Sequence, residues 1–80
     1  MGDKNTIAGN QNTALGNDNS IKGNSNFLNG NENTVNGNEN KLNGNKNDVT
    51  GNQNTILKDN NKVAGDKNTV DGNSNSVIGN

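Results

Sequence analysis

Aliphatic residues recur along this chain at one position in every seven. Ile7, Ala14, Ile21, Leu28, Val35, Leu42, Val49, Ile56, Val63, Val70 and Val77 keep that spacing, and most residues between them are polar. Asparagine stands two residues before each aliphatic, and glycine five residues before it except where Lys58 takes its place. The unit is Gly-Asn-x-Asn-x-φ-x, with φ aliphatic, as in Gly30-Asn31-Glu32-Asn33-Thr34-Val35-Asn36 and the seven residues after it. Eleven such units run from residue 2 to 78, Gly79-Asn80 open a twelfth, and residues 1–80 read as a single repeat domain. Met1 stands outside the register and reads as an added start. A fixed internal period of this kind decides the architecture before any local propensity does.

A period of seven first suggests a coiled coil, but that needs two apolar positions per heptad. Here one is regular, and a glycine in each turn costs about 1 kcal/mol against helix. Asn-x-φ-x instead predicts a short strand, with Asn and the aliphatic facing inward and the fifth and seventh residues outward. Gly-Asn predicts the corner, because glycine takes positive φ freely and asparagine tolerates it. One unit is therefore half a coil. Two units, 14 residues, close a two-strand coil, and the next coil stacks about 4.8 Å along the axis. The expected fold is all-β: a parallel β-solenoid, or β-roll, of between five and six coils.

One aliphatic per unit makes a thin core, so hydrogen bonds must supply much of the stability. The invariant fourth position meets that need. Asn5, Asn12, Asn19, Asn26, Asn33, Asn40, Asn47, Asn54, Asn61, Asn68 and Asn75 are expected to form two internal Asn ladders, one inside each corner, amide bonding to amide between coils.

Composition alone points elsewhere. Only 22% of the chain is hydrophobic, and Phe27 is its one aromatic. Twenty-four asparagines and 11 glycines resemble a low-complexity tract. The register argues against disorder, since every glycine falls at the first position of a unit. A net charge of −1 with dispersed signs gives no basis for binding nucleic acid or an anionic membrane. Cysteine is absent, and no apolar run approaches a membrane span or a signal peptide.

The spacing Asn-x-φ-x-Gly, as in Asn33-Thr34-Val35-Asn36-Gly37 and Asn68-Thr69-Val70-Asp71-Gly72, resembles the repeat domain of the grass ice recrystallisation inhibition (antifreeze) proteins over essentially the whole chain. The resemblance implies a left-handed β-roll with two Asn ladders and one flat outer sheet that adsorbs to ice. It also implies an extracellular, apoplastic location, reached through a signal peptide that this sequence does not contain. The alternative is a structural or adhesive segment. The chain also resembles the seven-residue repeat of trimeric autotransporter adhesin heads, although those usually carry a small residue where Asn recurs here. Open coil ends could instead stack into a filament.

With 14-residue coils, odd and even units face opposite ways. The odd sheet presents Thr6, Ser20, Thr34, Asn36, Thr50 and Ser76, interrupted by Asp48 and Lys62; the even sheet presents Thr13, Thr55 and Thr69 beside Phe27, Lys41 and Asp71. The odd sheet is the favoured ice-binding face, and ice crystals are the expected partner of a monomer. The charges at the outer corner fit any polar residue. Stacked neighbours Lys4–Asp18, Glu32–Lys46 and Asp48–Lys62 carry opposite signs. No metal site or cofactor is expected, because calcium-binding β-roll repeats run in nines with recurrent Asp. No enzyme chemistry is expected either: histidine and cysteine are absent, and no inward acid recurs to make a general acid–base pair. No Asn-x-Ser/Thr glycosylation site occurs.

Overall fold

The computed structural model describes residues 3–80; Met1, read as an added start, and Gly2, read as the first corner glycine, lie outside the described residues. Eleven three-residue strands follow one another: β1 (Thr6–Ala8), β2 (Thr13–Leu15), β3 (Ser20–Lys22), β4 (Phe27–Asn29), β5 (Thr34–Asn36), β6 (Lys41–Asn43), β7 (Asp48–Thr50), β8 (Thr55–Leu57), β9 (Lys62–Ala64), β10 (Thr69–Asp71) and β11 (Ser76–Ile78). Each covers the fifth, sixth and seventh positions of its unit. Odd strands form one six-stranded sheet in the order β1-β3-β5-β7-β9-β11, and even strands form a five-stranded sheet from β2 to β10. All pairings are parallel and in register, so Val35 stands beside Ile21 on one side and Val49 on the other. This is the two-sheet parallel β-solenoid expected from the repeat, with Cα extents of 29 × 22 × 11 Å.

The core is a single file of aliphatics between the sheets. Ala14, Ile21, Leu28, Val35, Leu42, Val49, Ile56, Val63 and Val70 are buried, and Val77 packs against them half-covered. Ile7, counted among the inward aliphatics, is 47% exposed. It lies in β1, at the edge of its sheet, where only β3 adjoins it. Ala14 of β2 and Val70 of β10 are also in edge strands yet stay buried, because β1 and β11 of the other sheet lie beyond them. Burial at this position therefore depends on a further half-coil on either side, which β1 lacks among the described residues.

The corners depart from the sequence reading in one respect. Positive φ, expected at Gly-Asn, occurs instead at the glycine and at the third residue, as in Gly37 (φ 148) and Glu39 (φ 58) or Gly44 (φ 148) and Lys46 (φ 59). The second-position Asn stays out of the left-handed region and acts as an acceptor, its Oδ1 taking the backbone N–H of the residue 14 positions earlier. Asn17 N–H donates to Asn31 Oδ1 at 2.8 Å, and Asn38 N–H to Asn52 Oδ1 at 2.9 Å. Asp59 and Asp66 replace Asn in this outer ladder without breaking it, because the bond needs only an acceptor oxygen. The glycines are required by contact as well as by φ. A Cβ on Gly37 would overlap the carbonyl of Gly51 in the next coil.

The inner ladders are present but built differently from the amide-to-amide stack expected. Asn47 N–H donates to Asn33 Oδ1 at 2.9 Å, and Asn47 Nδ2 donates to the carbonyl of Lys58 at 2.7 Å. The same pair of bonds recurs at Asn19, Asn33, Asn54 and Asn61. Asn26 and Asn40 add amide-to-amide contacts to Asn12 and Asn26, both at 3.2 Å. The physical reason is that a corner leaves backbone N–H and C=O groups facing inward with no strand partner. The amide satisfies those first. Among the described residues no buried side-chain nitrogen or oxygen lacks a partner.

Candidate functional site

Register converts the repeat into columns of outward side chains. On the six-stranded sheet one column is Thr6, Ser20, Thr34, Asp48, Lys62 and Ser76, each the Cα partner of the next. The second column is Ala8, Lys22, Asn36, Thr50, Ala64 and Ile78. All six residues named from the sequence, Thr6, Ser20, Thr34, Asn36, Thr50 and Ser76, lie exposed on this one surface. Thr34 and Asn36 bracket β5 beside Thr50 of β7, near the centre of the sheet. Asp48 and Lys62 separate Ser76 from the other three members of its column.

The five-stranded sheet presents Thr13, Phe27, Lys41, Thr55 and Thr69 in one column, and Leu15, Asn29, Asn43, Leu57 and Asp71 in the other. Phe27 and Leu15 are each 37% exposed on adjacent strands of this face, whereas the large outward apolar side chain of the six-stranded sheet, Ile78, stands on its last strand, β11.

The repetition of the backbone matters as much as the side chains. The bond that opens each strand repeats from coil to coil, as in Ser20 N–H to Asn33 O (2.8 Å), Thr34 N–H to Asn47 O (2.8 Å) and Asp48 N–H to Asn61 O (2.9 Å). Each interior strand is held by neighbours on both sides, so the side-chain columns inherit a fixed spacing of about 4.8 Å.

Charges contribute little structure to either face. The stacked opposite charges Lys4–Asp18, Glu32–Lys46 and Asp48–Lys62 do not close into ion pairs. Among the described residues the one ion pair is Lys58 to Asp71, at 3.6 Å between two largely exposed side chains. That separation and exposure give it under about 1 kcal/mol. Lys58 occupies a glycine position at φ 83, and the Gly72 N–H bond to Leu57 O beside it is stretched to 3.3 Å. No three acidic side chains gather as a metal cluster among the described residues, and their surface has no pocket.

The outer Asn/Asp ladder is the functional device that sequence reasoning misses. Its signal is present, since position two never departs from Asn or Asp. A corner residue needed only for conformational tolerance would admit glycine or serine. Restriction to the two side chains with an Oδ1 points to a fixed acceptor.

A family model described as the grass antifreeze beta roll matches residues 1–80, the whole chain. Comparison with individual curated proteins finds no match.

Proposed function

Because this chain belongs to the grass antifreeze beta-roll family, an ice-binding role is its premise, and we propose that it adsorbs to ice through the six-stranded sheet and inhibits recrystallisation. The observation that carries the choice of face is the column of small hydroxyl side chains Thr6, Ser20 and Thr34, in register and continued diagonally by Asn36 and Thr50.

A hydroxyl or amide at each step of about 4.8 Å can hold a water molecule in a repeated position. The methyl groups of threonine fill the space between these waters without competing for hydrogen bonds. Each contact is weak, so adsorption depends on many being made together. The ladders make that possible: the side chains stand on strands already fixed on both sides, and little conformational entropy is lost on contact. The family is an antifreeze one rather than an enzyme family, and we read no catalysis in this chain. A monomer acting outside the cell completes the proposal, since extracellular water is where ice would be met.

Thr34→Tyr against Lys41→Tyr tests the assignment. Both sites are exposed and central, one on each sheet, and tyrosine suits a strand. With folding checked by circular dichroism, crystal size is followed in frozen sucrose films held near the melting point. Thr34→Tyr should remove most of the inhibition and Lys41→Tyr should keep it. The reverse result moves the site to the five-stranded sheet, with Thr13, Thr55 and Thr69 as contacts. Free coarsening in the presence of unmodified protein refutes recrystallisation inhibition and leaves a structural or adhesive role.

A further inference from the structure

Three of the chain's asparagines are followed directly by glycine: Asn29-Gly30, Asn36-Gly37 and Asn43-Gly44. All three are the seventh residue of a unit, close the strands β4, β5 and β6, and point outward into solvent. This pair has an intrinsic chemistry. The backbone nitrogen of the following residue is one ring closure away from the side-chain Cγ, and glycine has no side chain to shield it. Bond formation from Gly37 N to Asn36 Cγ, with the Gly37 amide proton lost and the side-chain nitrogen leaving as ammonia, produces a five-membered succinimide. Water then opens the ring at either carbonyl, giving aspartate or isoaspartate.

The fold opposes each requirement of that reaction. The glycine N–H groups are committed to the neighbouring coil: Gly30 to Leu15 O at 2.9 Å, Gly37 to Lys22 O at 2.8 Å, and Gly44 to Asn29 O at 2.9 Å. The three strands are interior, each flanked on both sides. An extended backbone also turns the side chain out of the sheet, away from its own following nitrogen. The geometry points to Asn29, Asn36 and Asn43 as spontaneous deamidation sites that the ladder keeps closed and that local opening of the roll releases. The asparagines of positions two and four from Asn5 to Asn75 are different, since each is followed by a residue bearing a side chain. Asn19, Asn33 and Asn47 also have both amide atoms engaged in the ladder.

The two products differ in consequence. Aspartate fits, because Asp71-Gly72 occupies the same position in β10 with its register intact. Isoaspartate adds a main-chain carbon between strand and corner. Gly37 could then no longer donate to Lys22 O while its own carbonyl accepts from Asn26 Nδ2 at 2.8 Å. A transient opening would become a lasting defect.

The test is a deamidation time course at mildly alkaline pH, on the whole chain, folded in buffer and across a urea series, read by peptide mapping with isoaspartate resolved from aspartate. In full denaturant the three Asn-Gly sites should convert well ahead of every other asparagine. In buffer they should be slowed by about tenfold or more, as expected when reaction requires an opened state. Between these limits the rate should rise as the β signal is lost. Equal rates at these sites with and without urea would overturn the proposal. Conversion of second- or fourth-position asparagines as fast as these three in urea would overturn it equally.

Discussion

Removing one inner-ladder amide should cost as much as truncating one of the buried core aliphatics to alanine. In Asn47→Ala the backbone N–H of residue 47 keeps its bond to Asn33 Oδ1. Two other groups lose their partners. Asn61 N–H no longer finds Asn47 Oδ1, previously at 2.9 Å, and the Lys58 carbonyl no longer receives Nδ2, previously at 2.7 Å. Asn47 and Asn61 are each 1% exposed, so bulk water does not replace these bonds. An unsatisfied buried group costs about 1–3 kcal/mol, and the two together give roughly 2–5 kcal/mol once partial relaxation is allowed. Against the roughly 5–15 kcal/mol typical of a whole domain, that is a large fraction. The control is Lys46→Ala, one residue earlier but at the outer corner, where the change leaves the backbone bond to Asn31 O untouched. It should stay within about 0.5 kcal/mol. Urea unfolding followed by circular dichroism measures both. Equal midpoints would refute the claim that the fourth position satisfies buried backbone, and with it the account of how so polar a chain stays folded.

Two further substitutions separate contact from conformation at the first position. Gly37→Ala places a Cβ against the Gly51 carbonyl of the next coil, where no flexible side chain can yield, and should destabilise by on the order of 4 kcal/mol or more. Gly72→Ala shares the positive φ but meets only Asn75 Nδ2, at 3.1 Å, and should cost about 1–3 kcal/mol; similar unfolding midpoints for the two would mean that strain alone makes glycine necessary. Lys58→Gly should stabilise by up to about 1 kcal/mol, since relief of φ 83 exceeds the loss of an exposed ion pair. A lower melting temperature for Lys58→Gly would show that the Asp71 pairing outweighs backbone strain.

Strand positions are legible in the sequence because burial and period act at the same residue. Val35 has to face inward for the unit to have a core, and that alone fixes Thr34 and Asn36 as outward. Both ladders are harder to read. At the fourth position the inward direction of Asn33 is clear, but not its partners, since an amide serves a backbone carbonyl as readily as another amide. At the second position turn preference is enough to explain Asn31, which conceals its role as an acceptor; the left-handed burden falls on Glu32 instead. Ile7 misleads for a third reason, because a repeat pattern states which way a residue points but not whether a neighbouring coil covers it. The outward columns are legible as positions. Which column would meet ice under the proposed function depends on an interaction with a crystal, to which the periodicity within the chain is indifferent.

The half-coil nature of the unit also constrains how such a gene can change length. Insertion or loss of one unit preserves every ladder, glycine corner and core contact, so the product should still fold. Every residue downstream, however, would move to the opposite sheet. A deletion of residues 30–36 would transfer Thr50 to the face now carrying Phe27 and bring Lys41 and Thr55 onto the face of Thr6 and Ser20. Which side chains share a face is therefore encoded by parity. Tandem duplication can lengthen a working face only in steps of two units, and single-unit slippage, harmless to the scaffold, would shuffle its two surfaces into each other.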